Sequence, residues 1–460
     1  MARKRYQIRM MMVMCQRTCR QLGVLPFFIL LVLLTMIPFL VFFNVTPVDE
    51  FLPPSNGFSL PKEFVSPSHT KVPSLEYCSR RIEENVLFYN LTGRSPPPSS
   101  ARKLSDYEVF KAFSQLSCQE IVALIASSQP TEQETHFPLA YVLLLYKGAG
   151  LLVKQLQFIY MPQNIYCIHI DTSASLEFVN AVESVVRCLP NVFITKRRVK
   201  VIYLHVSTVR AQLNCIEDLL ENPVPWRYLL NLCGQDFPLY SNRGIVQALK
   251  ALKGRTNAES CEVKSNEAKK RTKNVHELKR VTGTGQAGHG AYILARTGKD
   301  KTPAPYGIKI FKGSSYIAGS REFCRFAAYE EPAKAFLEWL NDTRCADESF
   351  FASLYRYPGI SGGAPDGRQA EFITRGAVRW YKAKRPEDRC YGHWLRDICV
   401  LSLADLSWLF QPKLENMLFI QKIDFDYDNE LVDCLYVKVQ SRRQHPLSNK
   451  EINWYDPCEV

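Results

Sequence analysis

The sequence predicts an α/β domain built on a mainly parallel sheet with helices on both faces, carried behind a single membrane-spanning helix. Three observations lead there. Strand-like and helix-like runs alternate from Phe137 onward, the 22 residues from Leu22 to Phe43 carry no charge, and 13 of the 15 cysteines follow that run. At 460 residues the chain has length for one large domain or two ordinary ones. Its 46% hydrophobic, 22% charged and 12% aromatic residues are a globular composition that excludes wholesale disorder. A formal charge of +13 suits nucleic acid, anionic membrane or a phosphorylated substrate, and charge alone does not separate them.

Topology separates them. Leu22–Phe43 is long enough to span a bilayer. Arg3, Lys4, Arg5, Arg9, Arg17 and Arg20 precede it with no acidic residue, which places the N-terminus in the cytosol and the body across the membrane. A cleaved signal peptide would have an apolar region of about 7–15 residues and a small-residue cleavage site, so an uncleaved signal anchor fits better. The chain then divides into a cytosolic basic tail (1–21), the anchor (22–43), a luminal Pro/Ser-rich stem (44–102), a globular domain (103–440) and a C-terminal tail (441–460). Nucleic acid is excluded as a partner for a luminal domain. No cysteine pair has the tight C-x-x-C spacing of a zinc site, so the luminal cysteines read as a disulfide framework, and their odd number leaves at least one thiol over. Asn90-Leu-Thr and Asn341-Asp-Thr are glycosylation sequons compatible with luminal exposure; Asn44-Val-Thr lies against the membrane.

Within the domain the pattern predicts a strand Leu139–Tyr146, a helix Leu151–Tyr160, a strand Ile165–Ile170 and a helix Leu176–Arg187. Short strands follow at Val192–Ile194 and Val199–Tyr203, then a helix Thr208–Leu220 and a strand Tyr228–Leu232 leading into Cys233-Gly-Gln-Asp-Phe-Pro238. Units of that length argue for a mainly parallel sheet. No G-x-G-x-x-G follows the first strand and no G-x-x-x-x-G-K-[ST] occurs, which disfavours a dinucleotide oxidoreductase and a P-loop enzyme. The run Tyr160–Asp171 ends a strand in a carboxylate, and in open α/β folds ligands collect at strand carboxyl ends. Asp171 is therefore either a contact for a sugar or nucleoside hydroxyl or a cap for the helix that starts after Ser175.

Phe137-Pro-Leu-Ala-Tyr141, Tyr160–Thr172, Cys188-Leu-Pro-Asn-Val-Phe193, Leu213-Asn-Cys215, Tyr228–Pro238 and Gly313-Ser-Ser-Tyr316 together resemble the core 2/I-branching β-1,6-N-acetylglucosaminyltransferase family (glycosyltransferase family 14). The order and spacing of these blocks match from about Cys78 to Cys434. The resemblance implies a GT-A fold over 103–440 as a catalytic domain and a Golgi-membrane, single-pass type II protein. It further implies inverting transfer of GlcNAc from UDP-GlcNAc, without a metal or other cofactor, to a 6-hydroxyl of a galactose- or GalNAc-containing O-glycan or poly-lactosamine. A related luminal transferase with another donor, as in xylosyltransferases, and a catalytically weak glycan-binding homologue are the alternatives.

Inversion needs one carboxylate within reach of the acceptor hydroxyl. In Cys345-Ala-Asp-Glu-Ser-Phe350 the carboxylate matching the family's base is Glu348; Asp347 and Glu348 could instead cap the helix that follows. The leaving diphosphate needs positive charge, and the resemblance assigns it to Arg396 and Lys422, an arginine fork and a lysine point charge in place of a divalent ion. The Asp-x-Asp pattern occurs only late, at Asp424-Phe-Asp426 and Asp426-Tyr-Asp428. Asp171 and Tyr203 are implied on the nucleoside side, and Glu259, Trp380 and Tyr381 on the acceptor side. The implied disulfides are Cys78–Cys434, Cys118–Cys188, Cys167–Cys215 and Cys390–Cys399, with Cys233 free and Cys261, Cys324, Cys345 and Cys458 outside the pattern.

The chain departs from the family where the first strand ends, Tyr146-Lys147 standing for a His pair. In the acceptor loop the family's lysine and arginine fall near Glu267 and Lys270, inside the basic run Lys269–Lys273. Donor chemistry is thus expected to be preserved and acceptor recognition altered. The basic stretch from Lys264 to Arg280 raises the idea of a sulfated or sialylated acceptor.

Overall fold

The structure, a computed structural model, describes residues 73–97, 104–126, 128–280, 292–366, 369–370, 389–395, 398–411, 417–424, 427–442 and 454–455. The expected span Leu22–Phe43 lies outside them, as do Asn44, Trp380, Tyr381, Arg396, Asp426 and Cys458. Among the described residues no helix is long and apolar enough to cross a membrane. All of them belong to one compact unit that starts at Leu60.

The strands are β1 Leu139–Leu145, β2 Ile165–Ile170, β3 Val192–Ile194, β4 Tyr228–Cys233, β5 Asp236–Pro238, β6 Asn257–Ala258, β7 Cys261–Glu262 and β8 Asn274–Arg280. They continue with β9 Tyr292–Asp300, β10 Phe311–Lys312, β11 Ile317–Ser320, β12 Gln369–Ala370, β13 His393–Leu395, β14 Ile398–Val400, β15 Phe419–Gln421 and β16 Trp454–Tyr455. The helices that matter here are α1 Leu75–Thr92, α2 Ala149–Ile159, α3 Leu176–Val186, α4 Ser207–Glu221, α5 Asn266–Lys273, α6 Arg321–Tyr329, α7 Phe350–Tyr355 and α8 Asn429–Ser441.

One six-stranded sheet, ordered β3-β2-β1-β4-β11-β6, organises the unit. β1, β2, β3 and β4 are mutually parallel, whereas β11 runs antiparallel to both β4 and β6. The sheet is therefore mixed, not simply parallel, because the chain passes through β6 and the β8–β9 hairpin before it returns as β11. Alternation along the strands sends side chains to two apolar layers. Leu139, Tyr141, Leu143 and Leu145 pack with Leu152 and Leu156 of α2 and Phe178 and Val182 of α3. Ala140 and Val142 pack with Leu213 and Ile216 of α4, Phe323 of α6 and Phe351 of α7. Both faces are covered, which is why β1 and β2 read as continuous apolar runs.

The four expected disulfides form: Cys78–Cys434, Cys118–Cys188, Cys167–Cys215 and Cys390–Cys399. Cys167 faces the second layer and meets Cys215 on α4, so this bridge ties the central sheet to the helix behind it. Cys261 is also disulfide-bonded, while Cys233, Cys324 and Cys345 are free.

Two expectations change. The segment 44–102, expected as a stem, contains α1, whose Ser74 cap accepts a hydrogen bond from the Tyr77 N–H at 3.0 Å. Cys78 and Ile82 of α1 are buried, Cys78 is bonded to Cys434 of α8, and the Arg81 guanidinium donates to Glu430 at 2.9 Å. Ordered structure therefore begins well before Lys103. Val199–Tyr203 is not a strand, for a reason that belongs to the site below.

Asn231 of β4 is buried and fully engaged. Its Nδ2 donates to Gln212 Oε1 at 2.8 Å and to the Ser315 carbonyl at 2.6 Å, and its Oδ1 accepts from the Ile317 N–H at 2.7 Å. This one side chain fixes where β11 begins. Asn231→Ala leaves the Ile317 N–H of β11 and the Ser315 carbonyl just before it unmet, an expected loss of roughly 2–4 kcal/mol; thermal unfolding should register a lower Tm than the parent chain.

Candidate active site

Because β1, β2 and β4 are parallel, their carboxyl ends line one edge of the sheet, and the antiparallel β11 enters at that edge directly after Tyr316. β6 leaves at the same edge, directly before Glu259. The strand order steps from β1 to β2 and β3 on one side and to β4 on the other, a switch point of the kind where α/β sheets bind ligands.

At the end of β2 the carboxylate of Asp171 is buried and works locally. Oδ1 accepts from the Ser173 N–H at 2.7 Å and hydroxyl at 2.6 Å, and Oδ2 accepts from the Val201 N–H at 2.8 Å. Ser175, not Asp171, caps α3, accepting from the Phe178 N–H at 3.1 Å. The Val199 N–H donates to His169 Nε2 at 3.0 Å, and the Ile202 N–H to Ser207 Oγ at 2.8 Å. Burial pushes the His169 imidazole down to about 4, so it is neutral and free to accept. With these N–H groups held by side chains, residues 199–203 form a loop where a β-branched run suggested a strand. Tyr203 projects from it, 55% exposed, and the following Leu204 is left-handed (φ 64°). Asp171 thus anchors the loop that presents Tyr203.

At the end of β4 the chain turns through Gly234 and Gln235. Asp236 Oδ2 accepts from the Cys233 N–H at 2.6 Å, and Gln155 Nε2 donates to the Cys233 and Asp236 carbonyls at 2.9 and 2.7 Å. Gln421 Nε2 donates to the Tyr316 hydroxyl at 2.8 Å. Burial raises the Asp236 carboxyl to about 7 against the pull of hydrogen bonds from Cys233, Tyr316 and Gln421, and raises the Cys233 thiol to about 12. Cys233 is accordingly a poor nucleophile. β15 pairs with β5, and the Ile423 N–H donates to the Gln235 carbonyl at 3.1 Å, which sets Lys422 beside this turn. The Lys422 carbonyl in turn accepts from the Leu401 N–H at 3.1 Å, next to the β13–β14 hairpin whose strands flank Arg396. Arg396 itself is outside the described residues.

Glu348 ends a short 3-10 turn, Ala346–Glu348, that is held on both sides. The Cys345 N–H donates to the Leu204 carbonyl at 2.8 Å, and the Glu348 carbonyl accepts from the Gly313 N–H at 2.8 Å. Cys345, like Leu204, is left-handed (φ 59°). A Cβ on Gly313 would lie 1.7 Å from the Glu259 carbonyl oxygen, so the Glu259 backbone approaches Gly313, the residue bonded to Glu348, through the space that glycine leaves. Glu348 Oε2 accepts from Arg271 Nη1 at 2.9 Å and lies 3.7 Å from Lys312 Nζ; among the described residues Oε1 receives no hydrogen bond. Neither carboxylate caps α7, contrary to the alternative reading of Asp347. Asp347 Oδ1 is sealed from water and has no partner among the described residues, and burial, followed by the charge of Glu348, raises that carboxyl to about 6. Cys345 is a buried free thiol raised by burial to about 11, not half of a bridge.

The structure thus brings Asp171, Tyr203, Lys422, Glu259 and Glu348 to one edge of the sheet. Trp380 and Tyr381 fall outside the described residues. Sequence reasoning missed Arg271, hidden in a run of basic residues, and Lys312, which directly precedes Gly313-Ser-Ser-Tyr316; it singled out Gly313 without the close approach that requires a glycine there. Asn90 and Asn341 are exposed; Asn341 Nδ2 donates to Glu338 at 2.7 Å. The one group of potential metal ligands among the described residues, Cys390, Cys399 and Asp405, consists of a disulfide and a carboxylate that accepts from the N–H groups of Tyr391, Gly392 and Ser402.

The core-2/I-branching enzyme family model matches residues 139–410. The chain is 35% identical to the Homo sapiens N-acetyllactosaminide β-1,6-N-acetylglucosaminyl-transferase, over 71% of this chain and 78% of that protein. Its Mus musculus counterpart is 36% identical over 74% and 82%. A Danio rerio β-1,3-galactosyl-O-glycosyl-glycoprotein β-1,6-N-acetylglucosaminyltransferase 4 is 36% identical over 68% and 72%.

Two outcomes are expected. Gly313→Ala must push the Glu259 or Glu348 segment aside, and displacements on the ångström scale cost about 100-fold in rate; steady-state turnover with unchanged circular dichroism is the check. Asp236, with a carboxyl raised from 3.8 to about 7 on folding, binds a proton in the folded state across that window. The stability it contributes is complete below about pH 4 and is lost as pH rises through 7. The Tm of Asp236→Asn relative to the parent should therefore be higher at pH 8 than at pH 5.

Proposed function

Since the chain belongs to the core-2/I-branching enzyme family, we propose that it is a GT-A-fold inverting β-1,6-N-acetylglucosaminyltransferase of the Golgi membrane, anchored by Leu22–Phe43. It moves GlcNAc from UDP-GlcNAc to a 6-hydroxyl of a galactose- or GalNAc-containing O-glycan or poly-lactosamine. The observation that carries this reading is Glu348, whose turn is stitched between the Tyr203 loop and Gly313 and whose Oε1 receives no hydrogen bond among the described residues.

In this reading the UDP moiety lies over the carboxyl ends of β1, β2 and β4, against Tyr203 on the loop anchored by Asp171. Glu259, with Trp380 and Tyr381, holds the acceptor. The acceptor O6–H donates to Glu348 Oε1. As its proton passes to the carboxylate, O6 bonds to the anomeric carbon, the bond from that carbon to the UDP oxygen breaks on the opposite face, and UDP departs with the electron pair. Arg396 and Lys422 meet the charge that grows on the diphosphate, the task a divalent ion performs in other transferases.

Glu348→Gln keeps the shape and removes the base. Transfer to a galactose-terminated acceptor, followed by UDP release from the full-length chain in detergent, should fall 100- to 10,000-fold, about the value of general base catalysis. UDP binding should be unchanged. The parent's activity should persist in EDTA; abolition by EDTA would refute the cationic account of the leaving group.

A further inference from the structure

The β13–β14 hairpin does not hold itself in place. It is a two-stranded sheet of its own, all three residues of β13 are exposed, and an isolated hairpin is marginally stable in water. Yet its strands flank Arg396, and the diphosphate role of that residue needs a fixed hairpin. From Gly392 to Leu395 is roughly 10 Å of extended chain, so a tilt of about 6° at the base carries the tip about 1 Å. A displacement of that size costs about 100-fold in rate.

Three sets of contacts fix the base. The Cys390–Cys399 bridge closes it, and Gly392 lets the strands close tightly, since a Cβ there would lie 1.9 Å from the Val400 carbonyl oxygen. Asp405, fully buried at the end of the 3-10 turn Leu403–Asp405, accepts from the Tyr391 and Gly392 N–H groups, each at 3.2 Å. The third set comes from the beginning of the described chain. The Tyr89 ring on α1 meets the Tyr391 ring edge-on with centroids 5.0 Å apart, and Ser95 Oγ donates to the Gly392 carbonyl at 2.6 Å.

The same turn reaches the second cation. The Ser402 N–H donates to Asp405 Oδ2 at 2.9 Å, the Leu401 N–H to the Lys422 carbonyl at 3.1 Å, and the Leu403 N–H to Asp428 Oδ2, just before α8, at 2.8 Å. α1 packs on this turn and is locked to α8 near its first turn. There Arg81 donates to Glu430 through Nε at 2.9 Å and Nη2 at 3.2 Å, and Cys78 is bonded to Cys434. A helix fixed at one end thus bears on the hairpin at the other. It lies wholly outside residues 139–410, so the family match assigns it no part in the reaction.

We propose that Tyr89 and Ser95 are positioning residues for the donor diphosphate: they hold the base of the β13–β14 hairpin and, through Asp405 and its turn, keep the hairpin in register with the strand that bears Lys422. α1 then belongs to the donor site although its side chains touch no substrate.

The inference rests on the transferase reading, and the test separates the two. Affinities of the full-length chain in detergent are measured for UDP by calorimetry and for uridine by competition, with turnover alongside. Only UDP carries the phosphates that the two cations meet, and uridine binding reports a folded nucleoside site. The ratio of the two affinities therefore separates positioning from unfolding. In the Tyr89→Ala/Ser95→Ala double variant UDP should bind about 10-fold more weakly, the order of one charge-assisted hydrogen bond lost. Uridine affinity and the acceptor KM should be unchanged, and the KM for UDP-GlcNAc should rise. Tyr89→Phe/Ser95→Thr, which keeps the ring and the hydroxyl, should restore the parent's ratio. A ratio unchanged in the alanine pair, or UDP and uridine weakened equally, overturns the proposal. A parent that binds UDP no more tightly than uridine sinks the cationic account of the leaving group and this inference with it. A ratio that falls as expected in a chain that transfers to no acceptor keeps the positioning role and sinks the transferase reading.

Discussion

Two backbone hydrogen bonds, Cys345 N–H to the Leu204 carbonyl and Gly313 N–H to the Glu348 carbonyl, are the constraint on which the rest of this molecule converges. They suspend a three-residue turn between the loop that follows β3 and the link from β10 to β11, and β3 and β11 lie on opposite sides of β1 in the sheet. Both residues of the first bond are left-handed without being glycine, a conformation that costs of order 1–2 kcal/mol each and persists only where the surroundings impose it. The imposition is visible. Asp171, His169 and Ser207 hold the loop from below through the N–H groups of Val201, Val199 and Ile202. On the other side Gly313 lets the Glu259 backbone close to within a distance that no Cβ could tolerate.

Burial then sorts the polar groups around that turn into those that act and those that position. Asp236, Cys233 and Tyr316 are all pushed toward their neutral forms by desolvation, and they brace the turn after β4 against β15 and Lys422. Asp347, beside Glu348 in sequence, has an oxygen shut away from water, whereas the Glu348 side chain is 34% exposed and keeps one oxygen open. Two adjacent carboxylates thus have different uses because one points into the protein and the other into the site.

Much of this was legible in the chain. Apolar runs bounded by turns located β1, β2 and β4 to within a residue or two, since strands covered on both faces leave an unbroken apolar signature. The carboxylate after β2 pointed to the correct edge of the sheet, although its first task is to hold a loop. What failed to show was whatever depends on contacts distant in sequence. Val199–Tyr203 has the composition of a strand, but its N–H groups are taken by side chains 5 to 30 residues away. α1 sat in a Pro/Ser-rich stretch whose composition concealed a Ser74 cap and apolar residues at helical spacing. Arg271 could not be told from its basic neighbours, because only the fold brings it 77 residues along the chain to Glu348.

The central claim is that Glu348 Oε1 is the atom that receives the acceptor's proton. A crystal structure of the chain with an unreactive UDP-GlcNAc analogue and its acceptor measures this directly. The account predicts the acceptor O6 about 2.6–3.2 Å from Glu348 Oε1, on the face of the anomeric carbon opposite the diphosphate. An O6 that instead contacts Glu259 or Asp347, with Glu348 out of reach, would contradict it.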